Sequence, residues 1–254
     1  MPAKCRTIPR QFGAVAHTRY PNLLAAGCSY TYNNSESCSV TWPYYLRDLA
    51  GFDQVWDCSQ SSSGYNRAHT ATVVELETNT ALTRDNTLVV VMWSGNERVD
   101  ITCERALAHD ISTMPAPDLG WGLSTLGLSR QPRSGENQQW AQLSRQYHGL
   151  ITSKSQALES TVALISLAGY LDSRGFDWVF LDWDDTRPTI RLPGMDPWAQ
   201  GRFADVETLG SWATRTGQRI PGDGHPSPDA HLSWTRDCLI PYLIAKDHVM
   251  PSIE

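Results

Sequence analysis

Four short apolar runs constrain this chain more than any other feature. They are NLLAAG (22–27), DQVWDCS (53–59), TLVVVMWSG (87–95) and FDWVFLDW (176–183). The third is the strongest, with every residue from Leu88 to Trp93 apolar. A strand with one wet face alternates apolar and polar residues, and these runs do not. Strands apolar on both faces belong inside a parallel sheet covered by helices on each side. The intervening segments fit that requirement. Residues 41–51 suit a helix closed by Gly51, residues 65–82 a second, and residues 153–174 a third, followed by Gly175. For the third, Ser153 and Gln156 fit a capping box, and Leu158, Val162, Ile165 and Ala168 fall on one face. Ser227, Pro228 and Asp229 announce a last helix over 228–245, with Leu232, Leu239 and Leu243 on its apolar face.

Alternation of this kind predicts an α/β fold, a three-layer α/β/α sandwich around a mostly parallel sheet. The 254 residues read as a single domain spanning 1–254. Residues 99–152 break the rhythm, being rich in Ser, Gln, Gly and Pro. They read as a polar insertion after the strongest strand, forming a lid or wall near the site.

Composition narrows the function classes. A formal charge of −6 points away from nucleic acid, whose partners carry a basic face. Ten tryptophans read first as core packing and second as aromatic platforms for sugars. Six cysteines without a C-x-x-C pair are too dilute for a disulfide scaffold and give no zinc pattern, so buried free thiols are expected. The segment LLAAGC (23–28) can be read as a lipoprotein cleavage box. That reading requires a basic start and a longer apolar stretch, whereas Lys4, Arg6, Arg10, His17 and Arg19 are scattered through polar sequence. No run approaches the length of a membrane span. The expectation is a soluble chain without a signal peptide, cytoplasmic at synthesis and compatible with a phage-encoded or virion-associated protein.

Parallel sheets bind ligands beyond the carboxyl ends of their strands. The first run leads into Gly27-Cys28-Ser29-Tyr30-Thr31, the second into Ser61-Ser62-Ser63-Gly64-Tyr65-Asn66, and the third into Ser94-Gly95-Asn96-Glu97. Near the C-terminus stands GDGHPSPDAH (222–231). A serine, a glycine, an asparagine and a histidine with a nearby acid therefore fall at successive sheet-edge loops. Plainer roles exist for each: a helix cap for Ser29, turn positions for Gly64 and Asn96, a loop histidine for His225. His231 reads as a packing or surface residue. Asp182, Asp184 and Asp185 read as a solvated loop, or as a substrate or cation contact.

In their order, these four blocks resemble the SGNH/GDSL hydrolase family. The resemblance implies a flavodoxin-like sheet and a serine esterase acting on an ester or O-acetyl ester, including one on a carbohydrate, with no cofactor and no metal. Ser29 would be the nucleophile, His225 the base and then the acid, and Asp223 the group orienting the imidazole. The Ser29 and Gly64 backbone N–H groups and the Asn96 amide would form the oxyanion hole. Tyr30, Asn66, Arg67 and Arg98, beside or after these blocks, are candidate substrate contacts. Three departures from the family pattern stand out. Cys28 replaces an aspartate before the serine. Gly95 is adjacent to Asn96 and Glu97 follows. Asp223 precedes His225 by two residues rather than three, so a backbone carbonyl or another carboxylate is an alternative orienter. The partner expected is a small-molecule or glycan ester, with neither nucleic acid nor membrane. A binding module without turnover, and acyl transfer using the same residues, are the alternatives.

Overall fold

The computed structural model describes residues 12–32, 40–60, 63–94, 99–104, 123–128, 142, 145–147, 150, 152–184 and 203–252. The chain forms an α/β fold on a four-stranded, all-parallel sheet. The elements run β1 (Ala16–Thr18), β2 (Asn22–Gly27), α1 (Trp42–Ala50), β3 (Gln54–Asp57), α2 (Tyr65–Thr78) and β4 (Thr87–Trp93). Then come β5 (Val99–Glu104), β6 (Leu123–Leu128), α3 (Ser153–Arg174), β7 (Asp177–Asp182) and α4 (Leu209–Arg215). A continuous C-terminal helix begins as α5 (Pro228–Trp234), passes through one wide π-type turn (Thr235–Leu239) and ends as α6 (Ile240–Ala245), before β8 (Val249–Pro251).

The sheet order is β3-β2-β4-β7. Side chains alternate between two apolar clusters, one on each face. Leu23, Ala25, Leu88, Val90, Met92, Val179 and Leu181 join the cluster that holds α1 and the C-terminal helix. Leu24, Ala26, Val89, Val91, Trp93, Trp178 and Phe180 join the one that holds α2 and α3. Both faces of each central strand are therefore dry, as the continuous apolar runs require. Trp42, Trp93, Trp178 and Trp234 are fully buried. Trp93 stacks on Tyr65 at 5.1 Å and meets Phe180 edge-on at 5.0 Å.

The chain passes from β2 through α1, on one face, to β3 at one side. It then crosses through α2, on the opposite face, to β4 at the other side. The carboxyl end of β2 is where these connections diverge, the position at which open α/β sheets form a crevice.

Two local expectations are corrected. The cap of α3 is Thr152, whose hydroxyl accepts the Ser155 N–H, not Ser153. Its buried face carries Ala157, Leu164, Leu167, Ala168 and Leu171, while Leu158 and Val162 are 44% and 49% exposed. This helix has two apolar stripes, and the sheet buries the one that includes Leu164, Leu167 and Leu171. Residues 99–104 and 123–128, inside the expected insertion, pair as an antiparallel ribbon separate from the main sheet. A two-stranded antiparallel sheet joins β1 to β8, with Ala16 opposite Pro251. Among the described residues no helix is long and apolar enough to cross a membrane.

Candidate active site

The first site residue is placed by a glycine. Gly27 ends β2 at φ +156°, and a Cβ there would lie 2.6 Å from the Met92 carbonyl oxygen. No larger residue fits this close passage between strands. Beyond it the chain turns sharply, with the N–H groups of Thr31 and Tyr32 both donating to the Cys28 carbonyl at 2.9 Å. Cys28 points into the core. Ser29, one residue on, is partly exposed at the carboxyl edge of the sheet.

The turn is pinned from behind. The Thr41 hydroxyl donates to the Thr31 carbonyl at 2.7 Å, and the Trp42 indole N–H donates to Thr31 Oγ1 at 3.2 Å. The Trp42 backbone N–H, at the start of α1, donates to Nδ1 of His231 at 3.2 Å. His231 is buried in α5 and fills the packing role expected of it. Burial, and next the proximity of His225, push its imidazole down to about 3. It is therefore a neutral acceptor at physiological pH.

His225 approaches from the C-terminal segment. A short hairpin pairs Arg219 with Pro226, and the Ile220 N–H donates to the His225 carbonyl at 2.7 Å. Gly222 and Gly224 take φ of +78° and +77°, which L side chains rarely adopt. These two glycines fold the tip so tightly that Asp223 lies alongside the ring only two residues away. Arg219 braces the hairpin, donating to the Gly224 carbonyl, to Thr214 Oγ1 at 2.8 Å and to the Gly210 carbonyl at 3.0 Å.

His225 Nε2 lies 2.9 Å from Ser29 Oγ, and its Nδ1 lies 2.7 Å from Asp223 Oδ1. No protein-family model matches the chain, and no curated protein matches it. A hydroxyl, an imidazole and a carboxylate stand in line, each within hydrogen-bond reach of the next. With Nδ1–H donated to the carboxylate, Nε2 is left as the acceptor facing the serine proton. The side chains of His225 and Asp223 are 24% and 35% exposed, so the line opens to solvent.

The remaining expected residues divide. Tyr30 is buried rather than open to a ligand. Its ring lies 5.3 Å from the His225 ring and edge-on to Trp183 at 4.5 Å, and its hydroxyl accepts from Arg219 at 3.4 Å. It packs against the imidazole at a tilt, and burial raises its phenol above the ordinary range. Arg67 is also buried, while Asn66 is exposed. Asn96 and Arg98 lie outside the described residues, as do Ser61, Ser62, Glu97 and Asp185. Asp182 is the buried last residue of β7 rather than part of a solvated loop. Among the described residues no group of three or more His, Cys, Asp or Glu is arranged to hold a metal ion. Cys28 and Cys58 are buried free thiols, and burial pushes the Cys58 thiol well up.

The N–H of Gly64, expected as an oxyanion donor, is engaged in this structure. The loop that carries it is tied to the nucleophile turn, since the Ser63 hydroxyl donates to the Gly27 carbonyl at 2.7 Å. Its N–H is not open, however. It donates to both carboxylate oxygens of Asp100, at 2.9 and 3.0 Å, and the Arg67 N–H donates to Oδ2 at 2.7 Å. A carboxylate is drawn to these groups because the first N–H donors of a helix lack intrahelical partners and carry partial positive charge. Among the described residues nothing accepts the Ser29 N–H. Sequence reading missed Asp100, an acid near the start of a β-strand with no local pattern to mark it.

Proposed function

We propose that this chain is a serine hydrolase that cleaves an ester or O-acetyl ester, including one carried by a carbohydrate. The observation that carries this reading is the single imidazole of His225 bridging Ser29 Oγ and Asp223 Oδ1 at 2.9 and 2.7 Å. In the reaction, His225 Nε2 takes the Ser29 proton as Oγ attacks the acyl carbonyl. Asp223 stabilises the imidazolium, which then protonates the leaving alcohol. Water, activated by the same ring, releases the acid and restores Ser29. The Ser29 N–H is the first oxyanion donor, and Asn96 is assigned as another by its block.

The sheet order, with the first strand inside and the next two on either side of it, supports a flavodoxin-like arrangement. Together with the four sequence blocks it supports placement with SGNH/GDSL hydrolases. The test is hydrolysis of p-nitrophenyl acetate by the wild-type protein and by S29A. Turnover lost in S29A supports the reading, and equal turnover in both removes Ser29 from the chemistry.

A second reading, a binding module without turnover, is favoured by the Asp100 carboxylate on the Gly64 N–H. It predicts no hydrolysis by either protein.

A further inference from the structure

The Asp100 carboxylate occupies the positive end of the fourteen-residue helix α2, and the Ser63–Gly27 hydrogen bond ties that same end to the turn bearing Ser29. A tetrahedral adduct on Ser29 carries a negative oxygen, which needs N–H donors of this kind. One N–H cannot serve a resident carboxylate and a developing oxyanion at full strength. We propose that Asp100 is a latch on the nucleophile site. Its carboxylate holds the Gly64 N–H in the resting protein and must withdraw when an acyl group enters.

The carrier of the latch suits this role. Asp100 sits on β5, which among the described residues pairs only with β6, in a two-stranded ribbon outside the main sheet. Such ribbons are marginal on their own in water. Their position depends on what they touch, and here β5 meets α2 where the Asp100 carboxylate accepts charge-assisted bonds from the Gly64 and Arg67 backbone N–H groups. Breaking those bonds frees a donor in the loop that Ser63 ties to the Ser29 turn, and loosens the hold of the ribbon on α2. The attacking step itself is unchanged: Ser29 Oγ bonds to the acyl carbon, its proton passes to His225, and the carbonyl electrons collect on the oxygen that takes the place of the Asp100 carboxylate. The sequence of events makes the ribbon a regulator of acylation rather than a passive wall.

This inference rests on Ser29 being the nucleophile, and its test separates the two. The second-order rate of Ser29 labelling by a fluorophosphonate is measured for wild-type protein, D100N and D100A. The latch predicts faster labelling of D100A by at least about 10-fold, with an upper limit of about 10²–10³, the effect of a single oxyanion donor. D100N, which keeps one acceptor oxygen, should fall between. Because D100A removes a helix-capping contact, a second measurement uses wild-type protein alone. Amide hydrogen exchange over 99–104 is compared before and after labelling of Ser29, and the latch predicts faster exchange afterwards. Labelling of the wild type that is unchanged or slower in a folded D100A overturns the latch alone, as does unchanged exchange in the labelled wild type. Absence of Ser29 labelling in every form overturns the latch and the reading of the site together.

Discussion

Nδ1 of His231 accepts the backbone N–H of Trp42 at 3.2 Å, across 189 residues of sequence. The bond joins the helix that follows His225 to the helix whose first residues grip the Ser29 turn. It also requires a neutral ring. The folded protein holds this imidazole down to about 3, against about 6.5 in an unfolded chain. Between those values the unfolded chain binds a proton that the native state refuses. Stability is therefore full above about pH 6.5 and falls as pH drops towards 3, by up to about 1.4 kcal/mol per pH unit from this group. Melting temperatures of wild type and H231N between pH 7.5 and pH 4 test this. The wild type should lose more of its stability below pH 6.5 than the variant does. Parallel curves would remove His231 as the cause.

Gly27→Ala should be among the most damaging single substitutions of a small residue. The added Cβ meets the Met92 carbonyl at 2.6 Å on a backbone that L residues avoid. Strain of this kind costs on the order of 1–3 kcal/mol, and relieving it moves Ser29. Thermal melting should show a drop of several degrees, with hydrolysis falling further than the loss of folded protein explains. An unshifted melting temperature would show that the strand end can relax.

Asp223→Asn keeps the size of the side chain and removes its charge. The imidazolium then loses its partner and the ring loses its enforced tautomer. Turnover of p-nitrophenyl acetate should fall on the order of 10²–10⁴, mainly in kcat. A kcat within twofold of the wild type would mean that Asp223 does not orient His225 during reaction.

Arg219→Ala removes the brace of the Asp223–His225 hairpin, including its bonds to Gly210, Thr214 and Gly224. Hydrogen bonds from a charged donor are each worth about 1.5–3 kcal/mol, discounted here by partial exposure. The urea midpoint should fall modestly and kcat should fall with it, because Tyr30, packed against the imidazole, loses its Arg219 bond as well. Unchanged kcat would show that the hairpin keeps its shape through its glycines alone.

The central strands were legible because burial on both faces is written directly into composition: Leu88 to Trp93 has no polar position to expose. Helix ends were legible where a stereochemical signal stands alone, as at Gly51, Gly175 and Ser227–Pro228. The buried face of α3 was not, because two apolar stripes compete and only the sheet decides between them. Nor was the β1–β8 pair, since three-residue strands carry no periodicity. The short Asp223–His225 spacing left other orienting groups open beside Asp223. Left-handed Gly222 and Gly224 close the gap, a property of turn geometry that the count of intervening residues conceals. Asp100 was invisible for a different reason. Its partners, Gly64 and Arg67, lie 36 and 33 positions away and bond through backbone N–H groups that any sequence would supply.

The central claim is that His225 activates Ser29. Its most direct test is intact-mass analysis, with peptide mapping, of wild type, S29A and H225A after reaction with a fluorophosphonate. The account predicts one adduct per chain, on Ser29, in the wild type, none in S29A, and labelling of H225A slowed to near the background rate. An unmodified wild type, an adduct on another residue, or equal labelling of H225A would contradict it.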